Sequence, residues 1–277
     1  MEKEGKYIYC IIGTKQERNF GPIGMSGEEV LTIGYDDLSM IVSSHPMTKF
    51  VVNKENMLAH ERVIEEVMKE FGSVLPVRFG TIASNADEIR NLLDRRYREF
   101  KNLLRDMDHK VELGVKGIWK DMDVIFKEVV DENKAIKMLK EKIQNDTSPV
   151  RDDKSLNGTS KKNIHPVRKS FSNGVQTKME VGKMVEQALV KKKEKEAGSV
   201  VDALRHTASD YKLNKPISDG MFINAAFLVD RGREKEFDNI MDDLSDKYKD
   251  RIKFMYAGPL SPYNFVNIII YPQEWEK

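Results

Sequence analysis

Apolar and polar positions trade places residue by residue from Leu38 to Ser43, with Leu38, Met40 and Val42 on one face and Ser39, Ile41 and Ser43 on the other. A period of two marks a strand, because successive side chains leave opposite faces of the pleat. Val30 to Ile33 precedes it across Gly34-Tyr35-Asp36-Asp37, which predicts a hairpin. Tyr7 to Ile12, β-branched and aromatic, predicts another strand. The period then changes to that of a helix. Asn53 is placed to cap a helix running to about Phe71, whose stripe is Met57, Ile64, Val67, Met68 and Phe71. Val74 to Phe79 reads as a strand ended by Gly80. Asn85 and Glu88 have capping-box spacing before a second helix, whose stripe is Ile89, Leu93, Tyr97, Phe100, Leu104 and Met107. Val111 to Trp119 reads as a strand that closes this first unit.

Beyond it, Asp123 to Gln144 predicts a connecting helix, and Glu180 to about Lys212 a long basic helix interrupted near Gly198. The last part reads as strand (Met221 to Val229), helix (Arg233 to Lys249), strand (Arg251 to Tyr256), a proline-rich corner and strand (Asn264 to Tyr271). The order β-β-β-α-β-α-β suits helices laid over a mostly antiparallel sheet. The expected fold is therefore α+β, with two small domains of mostly antiparallel sheet packed against helices as ferredoxin-like variants. Their bounds are an N-terminal domain over 1–120, a connecting helix over 121–146, a disordered basic linker over 147–179, and a C-terminal helix plus α+β domain over 180–277. The linker reading rests on composition. Pro149-Val150-Arg151 through Asn157-Gly158 is loosely repeated at Pro166-Val167-Arg168 through Asn173-Gly174, and both copies are too polar to offset the entropy of ordering.

Charge sharpens this division. The whole chain of 277 residues carries a formal +1, yet 147–200 alone holds twelve Lys/Arg against six Asp/Glu, leaving −5 for the rest. Charged residues at 33% and apolar residues at 40% describe a soluble globular protein. The most apolar run, Phe265 to Tyr271, is strand-length, so no membrane span is expected. No secretory signal is visible in MEKEGKYIYC, and the single cysteine, Cys10, suits a reducing cytoplasm. Cys10 lies in an apolar strand, where a buried thiol is the expectation. The five histidines show no metal-ligand spacing, and His60 reads as a core-edge histidine. Gly21 to Gly27 lacks the Gly-Lys-Ser/Thr ending of a phosphate loop. No cofactor and no catalytic residue is therefore expected, and the chain reads as a non-enzyme. Lys191-Lys192-Lys193 with Lys195 raises an alternative, a nucleic-acid-binding regulator. Interrupting glutamates and the lack of stacking aromatics disfavour it.

Two short stretches carry a different kind of information: LPVRFGT at Leu75 to Thr81 and AGPLSPYNFV at Ala257 to Val266. Each sets one charged or turn-forming residue in an apolar run. With YIYCII, VELGVKGIW and MFINAAFLVDRGREKEFDNIMDDL in the same order, they resemble the gas vesicle protein F/L family; the segment from about Thr147 to Gly198 departs from its pattern. The resemblance implies two α+β domains and an accessory protein that assists assembly or nucleation of the gas vesicle by binding its small apolar shell protein. It implies cytoplasmic and gas-vesicle localisation, with the shell protein and other vesicle accessories as partners and no membrane. Candidate interaction or structural residues are Arg78, Phe79, Gly80, Pro259, Tyr263, Asn264 and Phe265. For Arg78, local physics predicts a buried strand arginine paired with a carboxylate.

Overall fold

The computed structural model describes residues 4–47, 52–146 and 168–270, with 144–146 and 168–175 described by backbone alone. The first sheet contains β1 (Glu4–Ile12), β2 (Asn19–Gly21), β3 (Val30–Tyr35), β4 (Leu38–Pro46), β5 (Val74–Pro76) and the two-residue β6 (Ile82–Ala83). Its order is β2-β3-β4-β1-β5, antiparallel throughout, with β6 also pairing β1. The hairpin joining β3 to β4 falls where the sequence puts it, Tyr35 facing Leu38 in register with Asp36 at φ 51.

Both faces of this sheet are covered. A bulge between Ile8 and Cys10 shifts the register of β1. Tyr7, Tyr9, Cys10 and Ile12 consequently join one apolar cluster, and Ile8 and Ile11 the other. The first cluster packs on Val63, Ile64 and Val67 of α1 (Lys54–Glu70). The second packs on Ile89, Leu92 and Leu93 of α2 (Ala86–Arg95) and on Phe100 and Leu104 of α3 (Tyr97–Asp106). Burial on two sides explains why Ser39 and Ser43 of β4 are buried too. Each finds a partner: Ser43 Oγ lies 2.8 Å from Tyr9 Oη, and Ser39 Oγ donates to Thr14 O at 3.0 Å. Asn53 and Asn85 cap their helices as expected, accepting from Asn56 N at 2.8 Å and Glu88 N at 2.9 Å.

The second sheet holds β7 (Lys110–Trp119), β8 (Asp210–Leu213), β9 (Met221–Asp230) and β10 (Ile252–Leu260), in the antiparallel order β10-β7-β9-β8. Here the sequence expectation fails in an instructive way. Strand β7 does not close the first unit; it lies inside the second sheet, between β10 and β9. Its buried Val111, Leu113 and Val115 face Val229, Phe227 and Ala225 of β9 in register. Together they bury against Val200, Val201 and Leu204 of α6 (Arg168–Leu204) and Phe237 and Met241 of α7 (Glu234–Lys247). A pattern of apolar positions shows that a strand is buried, not which sheet buries it. The two sheets also share apolar surface. Val63 and Val67 belong to the same cluster as Leu113 and Phe227, and Leu228, Val266 and Ile268 join Ile8 and Ile11.

Several boundaries move. The helix expected to Met107 bends at Arg96, and the connecting helix divides at Asn133 into α4 (Met122–Glu132) and α5 (Lys134–Asp146). Met57 is exposed, so the stripe of α1 begins at His60. The expected disordered linker lies, over 147–167, outside the described residues. Its end does not hold as expected, since α6 starts at Arg168. Once nucleated, each added helical residue brings a hydrogen bond, so a long helix extends into polar sequence. The same helix passes through Gly198 without interruption, and Gly198 has open space where a Cβ would sit. It stops at Leu204, ahead of β8. No strand forms from Asn264 to Ile270: that stretch is irregular, and it buries Val266 and Ile268 by packing rather than by pairing. No helix among the described residues is long and apolar enough to cross a membrane.

Candidate functional site at the junction of the sheets

The two motifs meet at one histidine. His60 lies on the buried side of α1, below the first sheet. Its Nδ1 is 2.8 Å from Tyr7 Oη, and its Nε2 is 2.7 Å from Tyr263 Oη. Tyr7 Oη also accepts from Gly80 N at 3.1 Å. The Phe79 ring stands edge-on to His60 at 5.6 Å, and the Tyr9 ring stacks on it at 5.5 Å. The chain Gly80–Tyr7–His60–Tyr263 thus ties the loop after β5 to the turn after β10. Burial pushes the His60 pKa down to about 4, against a hydrogen bond to the Val77 backbone that raises it. The same desolvation raises both phenols, Tyr7 and Tyr263. All three rings are therefore neutral near pH 7, which suits a buried polar chain whose members satisfy one another. Both ring nitrogens of His60 are occupied. What such an arrangement does chemically is hold two loops in register.

A second anchor lies on the 257–266 side. Glu112, buried within β7, accepts from Asn264 N at 2.8 Å and from Asn264 Nδ2 at 2.6 Å. Asn264 Oδ1 accepts from Asn214 Nδ2 at 3.0 Å, and Asn264 O accepts from Lys212 Nζ at 2.7 Å. That ammonium also sits 5.6 Å over the Phe265 ring. Burial raises the Glu112 carboxyl pKa, while the two Asn264 bonds and the Lys212 charge pull it back. The turn is therefore fixed from beneath by a carboxylate and an imidazole.

Of the seven sequence candidates, Phe79, Gly80, Asn264 and Phe265 are half-buried in this arrangement, Tyr263 is 36% exposed, and Arg78 and Pro259 are exposed. Arg78 is the correction. It is not a buried strand residue, and among the described residues it has no ion pair; its carbonyl accepts from Thr81 Oγ1 at 2.6 Å. The reason is that β5 ends at Pro76, so the chain has left the sheet before Arg78. Sequence reasoning missed Tyr7, His60 and Glu112 as site residues. Only Glu112 had a visible signal, a carboxylate set alone in the apolar VELGV of β7.

The other candidates resolve simply. Cys10 is fully buried, and burial raises its thiol pKa. Gly21 to Gly27 leads through a short helical turn into β3, not into a helix. Lys192 of the basic run is turned inward, 3.0 Å from Glu128 and 2.7 Å from Glu132. This pairing takes it out of any cationic face.

The fold and junction define a class: an α+β protein of two antiparallel sheets whose polar buried groups fix surface loops. Residues 5–267 match the family model described as gas vesicle synthesis protein GvpL/GvpF, and the chain belongs to that family. It is 22% identical to gas vesicle protein F of Microcystis aeruginosa, over 96% of this chain and 99% of that one. It is 26% identical to gas vesicle protein F1 of Halobacterium salinarum, over 96% and 95%. The crystal structure of GvpF from Anabaena superposes with a TM-score of 0.77 at 21% identity, covering 96% of this chain and 100% of that chain. That of Microcystis aeruginosa GvpF gives 0.75 at 21%, covering 95% and 99%. The two structures share the fold with this chain.

Proposed function

We propose that this chain is a non-enzymatic accessory protein of gas vesicle formation that acts by binding the small apolar shell protein with its folded part. One observation supports the reading most. The two family-resembling motifs are joined through His60 and the second is fixed from beneath by Glu112, while Arg78, Pro259 and Tyr263 reach the surface. Buried polar groups that lock surface loops are what a preformed recognition surface requires, because preorganisation lowers the entropy lost on binding. A shell subunit exposes apolar surface and strand edges before it polymerises, and covering them prevents aggregation. The chain acts in the cytoplasm and at the vesicle, beside other vesicle accessories, and needs no cofactor. Co-purification from cells that express this chain and the shell protein tests the reading. Recovery of the shell protein is expected. Recovery of other vesicle accessories without it would assign the chain an indirect role.

A further inference from the structure

A sheet edge is a row of unpaired N–H and C=O groups, and natural proteins shorten it, charge it or cover it. The second sheet has two edges, and they are treated differently. At β8 the edge is four residues long and carries Asp210 and Lys212. The Asp210 carboxylate also accepts from Tyr211 N at 2.8 Å, an amide that alternation turns away from β9. That edge is protected.

The β10 edge, among the described residues, is not. Lys120 N donates to Arg251 O, so pairing alternates such that Lys253, Met255 and Ala257 bond to β7. The N–H and C=O of Phe254 and Tyr256 therefore point away from the sheet. Met255 is 48% and Tyr256 39% exposed, and no charged side chain occurs between Lys253 and Ile270. Beside this edge lies α7. Its Phe237 ring stacks on Tyr256 at 5.8 Å, and its Asp238 accepts from Tyr256 Oη at 2.6 Å. Helix α7 carries six Asp/Glu against two Lys. Asp238 and Asp242 are exposed and, among the described residues, form no ion pair.

We infer that the open edge of β10 is a β-augmentation site, taking an extended uncharged strand of the shell protein with a basic side chain beside it that faces Asp238 and Asp242. The inference rests on the shell-protein reading above. Main-chain bonds to Phe254 and Tyr256 supply attachment, Met255 supplies apolar contact, and the α7 carboxylates select the partner's charge. A second copy of this chain fits badly. Pairing β10 with its own twofold mate would bring the two acidic α7 helices together, and like charges across an interface disfavour it. Pro259 and the break in pairing between Ala257 and Leu260 limit the edge at its far end.

The test is amide hydrogen exchange on the full chain, alone and with purified shell protein. Phe254 and Tyr256 should exchange freely alone and become protected in the complex. Met255→Lys, which adds an edge charge, and Asp238→Lys/Asp242→Lys should each weaken binding by about tenfold or more, with melting unchanged. A complex that leaves these amides unprotected would overturn the edge assignment while sparing the shell-protein reading. No complex at all would overturn both. Protection that appears with chain concentration and self-association, without shell protein, would make the occupant a second copy and refute the inference.

Discussion

His60 gives the sharpest quantitative prediction. The perturbation is His60→Gln, which keeps a polar side chain between Tyr7 and Tyr263 but removes the titrating ring. The folded state holds the imidazole neutral, with its pKa lowered from 6.5 to about 4. Between those values the unfolded chain binds the extra proton, so stability from His60 is present above pH 6.5 and is lost as pH falls through that window. At roughly 1.4 kcal/mol per tenfold change in proton affinity, the loss comes to about 3 kcal/mol. Glu61, its neighbour, complicates the wild-type profile. Burial and then Glu65 and Glu112 push it up to about 7, so its stability contribution is lost in the opposite direction, as pH rises. The two slopes oppose each other, and only the difference between wild type and variant isolates the histidine. Urea unfolding at steps between about pH 4 and pH 7, followed by the fluorescence of buried Trp119, measures that difference. Wild type should be the more stable at pH 7, and its advantage should shrink by about 3 kcal/mol towards pH 4. An advantage independent of pH would refute a buried neutral His60.

Other consequences follow from neighbouring geometry. Arg78→Ala removes an exposed side chain and should change stability by less than about 0.5 kcal/mol by thermal melting, while reducing vesicle formation. Asn264→Ala takes the Nδ2 hydrogen bond from the buried Glu112, leaving only that of the backbone amide, and should cost about 1–3 kcal/mol in urea unfolding. Arg251 reaches Glu128 at 2.8 Å and Glu196 at 2.7 Å, tying β10 to α4 and α6, and Trp119 Nε1 donates to the same Glu196 at 2.7 Å. These groups are partly exposed, so a double-mutant cycle of Arg251→Ala with Glu128→Ala should give a coupling of about 1–2 kcal/mol that falls with added salt.

Much of the architecture was legible because it rests on local chemistry. The Asn53 and Asn85 caps, the β3–β4 hairpin and the stripe of α2 and α3 need only residues a few positions apart. The assignment of β7 to the second sheet was not legible, since its partners β9 and β10 lie more than a hundred residues further on. The irregular course of Asn264 to Ile270 was hidden for a related reason: an apolar run buries equally well by pairing or by packing. Within the site, the motif residues could be picked out, but their connection could not. Tyr263 and His60 stand 203 positions apart, and neither carries a local sign of the other. Arg78 shows the opposite failure. Its apolar neighbours suggested burial, and the early end of β5 at Pro76 turned it out to solvent.

The proposed function requires direct contact between this folded chain and the shell protein. Chemical cross-linking of the purified pair, mapped by mass spectrometry, tests it without reference to any variant. Cross-links from the shell protein should fall on Lys253 of β10 and on Lys212 beside Asn264, and should be lost when unlabelled shell protein competes. Cross-links confined to the lysines of α6, or absent while other vesicle accessories cross-link efficiently, would contradict it.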